Sequence, residues 1–133
     1  MPAAAREQTP AGAEALLRHY LDASSTAWMT PDPAVLDGLA TKQCVTCQNL
    51  QSEAADLKAK GRRYTTPPIK LVQVKRLSAS DAQVVFELRL EQPASDIVDA
   101  SGAVVDRQAA ETLKRAARVV WQEGRWLVDG ISQ

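Results

Sequence analysis

The stretch Val119-Val120-Trp121-Gln122-Glu123-Gly124-Arg125-Trp126-Leu127-Val128 decides the fold class, because it predicts two strands joined by a tight turn. Runs rich in Val and Trp favour strands, and Glu123-Gly124 between them is a turn signal. We extend the first strand back to residue 111, since side chains alternate from Leu113 without a break into Val119. Residues 108–118 also fit a helix by spacing and propensity. We predict a strand from about 111 to 122.

Further strands are predicted upstream of this hairpin, where the apolar period changes from helical to twofold after Pro67-Pro68. Apolar and polar residues alternate most clearly from Val84 to Leu90, which is typical of a half-buried strand. A small hairpin is expected around the turn at Ser101-Gly102. The predicted strands cover residues 69–77, 84–90, 97–98 and 104–105.

The first half of the chain predicts three helices. Thr9-Pro10 is typical of an N-cap followed by proline at the first helical position, and an apolar stripe then runs over about 10–29. Asp32-Pro33 repeats this start signal for a short second helix that ends near Leu39. A third helix begins near Cys44 and ends at Gly61.

Length and charge restrict the function classes. A chain of 133 residues is the size of one ordinary domain, so we expect a frayed segment over 1–8 and a single α+β domain over 9–133. Sixteen basic and sixteen acidic residues give no net charge, which argues against nucleic-acid binding. A local basic cluster is explained by the preference for cations near a helix C-terminus. It comprises Lys58, Lys60, Arg62 and Arg63.

Cys44-Val45-Thr46-Cys47 is the only stretch with distinctive chemistry. A C-x-x-C pair at a helix N-terminus is what a thiol–disulfide redox module needs, because the helix dipole favours a thiolate. No strand precedes this helix, so the βαβ context of such redox sites is missing. A structural disulfide and two free buried thiols are the alternatives. With His19 distant and on a polar helix face, the ligands are too few for zinc, and we expect no metal and no cofactor.

The helix trio, the antiparallel strands and the final hairpin resemble the nuclear-transport-factor-two-like superfamily, which shares its cone with ketosteroid isomerases. The V-V-W-x-x-G-x-W-x-V pattern of residues 119–128 carries this resemblance. It implies a cystatin-like α+β fold in which three N-terminal helices pack on a curved antiparallel sheet of four to six strands. We therefore expect a cone-shaped domain.

A second set of motifs is similar to an uncharacterised family of actinobacterial cell-envelope lipoproteins. They are Thr9-Pro10-Ala11-Gly12-Ala13-Glu14-Ala15, Tyr20, Ala27-Trp28, Asp32 and Cys44-Val45-Thr46-Cys47. The resemblance implies an extracytoplasmic domain that contacts a membrane only through an upstream lipid anchor. In such an oxidising compartment Cys44 and Cys47 would form a disulfide. The charged pair Lys114-Arg115 departs from the family pattern and puts the strand pairing there in doubt.

The first hypothesis for function is a non-catalytic domain that binds a small apolar ligand or a protein partner at the concave sheet surface under the first helix. The side chains expected to line this pocket are Tyr20, Trp28, Tyr64, Phe86 and Trp121. Such a domain would be a monomer or a homodimer, and no nucleic acid is expected as a partner.

The alternative is an enzyme with an isomerase- or hydratase-like pocket, in which a carboxylate is the base and a tyrosine stabilises an oxyanion. Tyr20 and Asp129 are the candidate catalytic residues, although Tyr20 also fits a core position and Asp129 a strand edge or solvent face. Asp96 and Asp99 are further carboxylates on or between strands, and Asp99 is typical of a turn. A redox module using Cys44 and Cys47 is the second alternative.

Overall fold

The computed structural model describes residues 1–132, and these form two α-helices and seven strands. The helices are α1 (Pro10–Met29) and α2 (Val45–Lys60). The strands are β1 (Arg63–Tyr64), β2 (Lys70–Ala79), β3 (Gln83–Gln92), β4 (Ser95–Val98), β5 (Val104–Gln108), β6 (Glu111–Gln122) and β7 (Arg125–Ile131).

Both α-helices begin and end where the capping signals place them. The Thr9 hydroxyl accepts a hydrogen bond from the Gly12 N–H at 3.0 Å, and Pro10 opens α1. At α2, Cys44 is the N-cap and Gly61 ends the helix with φ 66°, a left-handed conformation that glycine adopts without strain. Local chemistry therefore sets the bounds of both helices.

The predicted second helix is wrong, since residues Pro33–Leu36 form only a single 3-10 turn. Its start signal is real, because Asp32 Oδ1 accepts a hydrogen bond from the Ala34 N–H at 3.0 Å. Gly38 at φ 74° then turns the chain, and residues 39–41 run beside β7, with Ala40 bridged to Val128. The chain leaves the helical path to pair with the sheet.

Two antiparallel sheets replace the single sheet of four to six strands that was expected. One has the order β2-β3-β6-β7, and the other has the order β1-β4-β5. The second sheet forms because Tyr64 pairs with Ile97, which adds a two-residue strand to the predicted small hairpin. A strand this short leaves no period in the sequence, so the count of strands was too low.

The long strand is confirmed, since β6 pairs with β3 from Glu111 to Val120. The register places Arg89 opposite Lys114 and Leu88 opposite Arg115, so the charged pair is accommodated within a continuous ladder. Glu123 and Gly124 both have positive φ, at 52° and 81°, which is what a tight two-residue hairpin turn requires.

The main core lies between α1 and the four-stranded sheet. Leu16, Leu17 and Tyr20 of α1 pack with Phe86 and Leu88 of β3, all at most 1% exposed. Burial of these side chains is the main favourable contribution to folding. No helix within residues 1–132 is long and apolar enough to cross a membrane.

The N-terminal segment is packed where fraying was expected. Residues Ala3–Arg6 form a 3-10 turn, and Ala5 is 4% exposed. The Trp126 indole N–H donates to the Glu7 carbonyl at 2.7 Å. This contact joins the start of the chain to β7. The two residues are far apart in sequence, so local sequence patterns do not predict it.

Candidate functional site

The side chains expected to line one pocket lie in the main core and in a smaller cluster beside it. Tyr20 and Phe86 are in the main core, 1% and 0% exposed. The rings of Trp28 and Tyr64 are tilted by 39° with their centroids 5.0 Å apart, in a second, smaller cluster with Leu57 and Ile97. Trp28 also packs against the main core and so links the two clusters, whereas Tyr64 packs only in the smaller one.

Trp121 also packs against the main core, edge-on to the buried Trp126 with the ring centroids 5.3 Å apart. Trp28 is also held in place by its indole N–H, which donates to the Leu50 carbonyl at 3.0 Å. The aromatic residues therefore act as packing anchors. The space under α1 that was expected to be a pocket is filled by Tyr20 and Phe86.

A large cleft opens instead along one side of α1, where this helix faces the loop before β2 and the start of β2. Its volume is about 720 Å³, within the usual range for a small-molecule site. The lining comprises Arg18, Leu21, Asp22, Ser25, Thr26, Met29, Thr66, Pro67, Ile69, Lys70, Leu71 and Pro93. The α1 residues in this lining are spaced three and four positions apart, as residues on one face of a helix are.

The walls of this α1–β2 cleft are mainly apolar, and its ionisable side chains are at exposed positions. Arg18 is paired with Glu14 at 3.2 Å, while Asp22 and Lys70 are exposed. The Ser25 hydroxyl donates to the Ile69 carbonyl at 3.1 Å and so ties α1 to the loop before β2. Such a cleft can hold an apolar body, but it offers no desolvated acid–base pair.

Tyr20 has a hydroxyl that is buried without a hydrogen-bond partner among the described residues. Burial raises the pKa of Tyr20 to about 12; the nearby Ser24 hydroxyl offsets this in part, but its own hydrogen bond goes to the Tyr20 backbone carbonyl at 2.9 Å. Tyr20 also lies in the wall of a smaller pocket of about 180 Å³, together with Thr41, Gln48 and Gln51. A buried phenol of this kind is a neutral hydrogen-bond donor at ordinary pH.

Asp129 lies in β7, an edge strand of its sheet, but its side chain is buried and does not face solvent. The pairing shifts between Arg118 and Val119, so Asp129 is an extra residue in β7 and departs from the alternation. Thr41 Oγ1 donates to Asp129 Oδ1 at 2.7 Å, and Arg118 Nε donates to Oδ2 at 2.8 Å. Burial acts to raise the pKa of Asp129, but these two hydrogen bonds and the Arg118 charge outweigh burial and lower the pKa. Asp129 is thus an engaged carboxylate, poorly suited to be a general base.

The two other carboxylates considered as bases are also engaged elsewhere. Asp99 Oδ1 accepts hydrogen bonds from Ser101 and Ala103, and these bonds lower the pKa of Asp99. Asp96 forms an exposed pair with Arg107 at 3.4 Å. Neither carboxylate lines the α1–β2 cleft or the Tyr20 pocket.

Cys44 and Cys47 form a disulfide, and their side chains are 0% and 5% exposed. Cys44 Sγ also accepts a hydrogen bond from the Cys47 N–H at 3.2 Å, in the position of an N-cap. A redox role needs an accessible sulfur, and burial of Cys44 opposes it. Within residues 1–132, no group of three His, Cys, Asp or Glu side chains could hold a metal ion.

Sequence reasoning missed the α1–β2 cleft. Its residues come from α1, from the loop before β2, from the start of β2 and from Pro93, and their proximity depends on how α1 docks on the sheet. The only sequence signal is the mixed stripe Arg18, Leu21, Ser25 and Met29, which is less apolar than the core stripe of the same helix.

Three structural neighbours share this fold. The intermembrane space region of the chloroplast protein ARC6 has 17% identity and a TM-score of 0.65, with 93% of this chain and 95% of that chain covered. An uncharacterised protein with a cystatin-like fold from Caulobacter vibrioides has 17% identity and a TM-score of 0.56, with 91% and 89% covered. A protein from Novosphingobium aromaticivorans, provisionally named a scytalone dehydratase, has 9% identity and a TM-score of 0.55, with 89% and 80% covered.

These neighbours support the cystatin-like α+β fold, and at such low identity they show the fold alone. No curated protein matches the chain. Membership of a cell-envelope lipoprotein family stays a prediction. A model of the family of unknown function DUF6318 matches residues 1–132, and the chain therefore belongs to that family.

Proposed function

We propose that this protein is a non-catalytic extracytoplasmic domain that binds a small apolar ligand in the α1–β2 cleft. The observation that carries the proposal is the cleft itself, about 720 Å³ in volume, with Leu21, Met29, Ile69 and Leu71 among its walls. Mostly apolar clefts of this size with a few polar groups at the edge are the usual form of small-molecule sites. Asp22 and Lys70 of the lining are exposed to solvent, which suits a binding site better than a water-excluded catalytic one.

The disulfide supports the extracytoplasmic part of the proposal. Disulfides persist in oxidising compartments and are rare in a reducing cytosol. Cys44 and Cys47 serve a structural role here, since the pair is buried at the first turn of α2. An upstream lipid anchor, as the lipoprotein resemblance implies, would hold the domain at the cell envelope.

Titration with a neutral fluorescent probe, Nile red, and with dodecanol by calorimetry tests the binding function. Thr26 is exposed in the wall of the cleft, so Thr26→Trp should fill the site without disturbing the core. We expect saturable binding at about micromolar to tens of micromolar concentration, weakened at least about tenfold by Thr26→Trp. Ala11→Trp, at an exposed position of α1 outside the cleft, is the matched control. Absence of saturable binding, or equal loss in both variants, would reject a small apolar ligand and leave a protein partner as the next hypothesis.

One observation favours a second candidate, an isomerase- or hydratase-like enzyme. The buried Tyr20 hydroxyl without a partner is the kind of donor that stabilises an oxyanion. Asp129 is poorly suited to be the base of such an enzyme, because its two hydrogen bonds and the Arg118 charge outweigh burial and lower its pKa. Turnover of a ketosteroid or a hydroxylated aromatic substrate, lost in Tyr20→Phe and retained in Tyr64→Phe, would support catalysis. No turnover by the folded wild type would reject it.

A further inference from the structure

We propose that a second cleft, between the C-terminal end of α2 and the β4–β5 turn, binds a phosphate group carried by a small organic molecule or a lipid. This basic cleft has a volume of about 440 Å³. Its lining shares no residue with the α1–β2 cleft, so the proposal is independent of the apolar ligand. Lys58, Arg62 and Arg63 lie in the wall contributed by the end of α2 and the start of β1.

These three cations have no partner in the part of the chain that the structure describes. Within residues 1–132, no carboxylate oxygen lies within 4.0 Å of the side-chain nitrogens of Lys58, Arg62 or Arg63. Lys60, between them in sequence, is instead paired with Asp56 at 2.9 Å. The cleft therefore collects the unpaired members of the basic cluster.

The last carbonyl groups of α2 do not depend on these side chains for hydrogen bonds. The Gly61 N–H donates to the Lys58 carbonyl at 3.2 Å, and the Arg62 N–H donates to the Leu57 carbonyl at 2.9 Å. This backbone arrangement is a common helix ending around a left-handed glycine. Arg62 is partly exposed and Arg63 is exposed, so their guanidinium groups are accessible to a ligand.

The opposite wall adds one negative charge that is already engaged. Asp99 Oδ1 accepts hydrogen bonds from the Ser101 N–H at 2.9 Å, the Ser101 hydroxyl at 2.6 Å and the Ala103 N–H at 3.1 Å. Three cations against one carboxylate, 3 − 1, leave a net charge of +2 in the lining. A net charge of +2 attracts the dianion of a phosphomonoester and also, with less charge to neutralise, the monoanionic phosphodiester of a phospholipid.

The residue types explain why phosphate fits this cleft. Arginine presents a planar fork of N–H donors that matches phosphate oxygens, and lysine adds a point charge. Pro31 and Leu57 supply apolar surface in the same cleft, where the organic part of the ligand can pack. The ligand class is therefore a phosphomonoester or a phospholipid headgroup.

Calorimetric titration of the whole chain with phenyl phosphate tests the soluble source. Sedimentation with vesicles of phosphatidylcholine containing phosphatidylglycerol tests the lipid source. We expect saturable binding in at least one arm, weakened at least about tenfold by the combined change Arg62→Gln and Arg63→Gln. The matched control combines Lys42→Gln and Lys60→Gln, which removes two exposed cations outside the cleft and should change affinity less than about twofold.

A second variant protects the test against a folding defect. Ala100→Glu places a new carboxylate in the exposed turn of the opposite wall and leaves both arginines in place, so it should also abolish binding. Binding in either arm that both variants weaken supports the proposal and identifies the source of the phosphate. The proposal is overturned if neither arm shows saturable binding up to about 10 mM ligand, or if the control loses as much affinity as the arginine variant.

Discussion

Asp129 and Arg118 are joined across the β6–β7 pair, with Arg118 Nε donating to Asp129 Oδ2 at 2.8 Å. The same carboxylate accepts a hydrogen bond from Thr41, whose N–H donates to the Val128 carbonyl at 2.9 Å. One carboxylate thus holds the 39–41 segment against β7. The ion pair also explains why Asp129 is a structural residue rather than a base.

We predict that Asp129→Asn lowers the free energy of unfolding by about 1–2 kcal/mol at pH 7, because it removes a charge-assisted bond to Arg118. The pKa of Asp129 is lowered in the folded protein. Its contribution to stability is therefore complete above the unfolded pKa of about 3.9, and it is lost as pH falls through the folded value. Urea unfolding from pH 7 down to acid should show a shallower loss in Asp129→Asn than in the wild type. Equal slopes would contradict this, and Asp81→Asn, at an exposed site, is the control.

How far the sequence predicted the fold depends on whether the signal was local. Thr9-Pro10 and Gly61 fixed helix ends because capping uses neighbouring residues, and the alternation from Leu113 identified β6. The second sheet was missed because Tyr64 pairs with Ile97, which lies more than thirty residues away along the chain. Pairing at that distance depends on how the whole chain packs.

The candidate site was predicted less well, for two physical reasons. Alternation assigns side chains to faces only while the ladder is regular, and the bulge at Asp129 interrupts it. An apolar stripe also does not reveal whether the space beneath it is open. Tyr20 and Phe86 fill that space, so the open cleft lies along the neighbouring face of α1.

We predict that the combined change Cys44→Ala and Cys47→Ala lowers the free energy of unfolding by about 2 kcal/mol. Chain-entropy arguments give roughly this value for a four-residue loop, and the N-cap bond to Cys44 Sγ is lost as well. Dithiothreitol should destabilise the wild type in urea unfolding and leave the double variant unchanged. Rapid reduction of the folded wild type by millimolar glutathione would contradict a buried structural disulfide and revive the redox hypothesis.

The packed N-terminal segment leads to a prediction at Gly12. A Cβ added there would lie 2.1 Å from the Glu7 carbonyl oxygen and 2.8 Å from the Ala4 carbonyl oxygen. Gly12→Ala should therefore displace the segment and lower the free energy of unfolding by about 1–3 kcal/mol, despite the better helix propensity of alanine. In a chain lacking residues 2–7 the clash is absent, and the same change should be neutral or stabilising. Thermal unfolding of the full and the shortened chain, each with and without Gly12→Ala, measures the coupling between this change and the N-terminal segment. No coupling would mean that the segment is frayed in solution.

Tyr20 gives the last prediction, because its hydroxyl is buried without a partner among the described residues. Removing an unsatisfied buried hydroxyl relieves a desolvation penalty, so Tyr20→Phe should leave stability at pH 7 unchanged or raise it by about 1 kcal/mol. Burial raises the pKa of Tyr20 to about 12. The folded protein holds this proton more tightly than the unfolded chain, so the associated stability is complete below about pH 10 and is lost as pH rises to about 12.

Between about pH 10 and pH 12, the free energy of unfolding should therefore fall by about 2–3 kcal/mol more in the wild type than in Tyr20→Phe. Tyr64→Phe is the comparison, since burial and then the charges of Glu53 and Asp106 raise the pKa of Tyr64 as well. For that reason, the free energy of unfolding of Tyr20→Phe should still fall somewhat as pH rises. The variant that combines Tyr20→Phe and Tyr64→Phe should not show this fall. A loss of more than about 1 kcal/mol in Tyr20→Phe at pH 7 would show instead that the hydroxyl has a partner in solution. Urea unfolding of the four proteins between pH 7 and pH 12 distinguishes these outcomes.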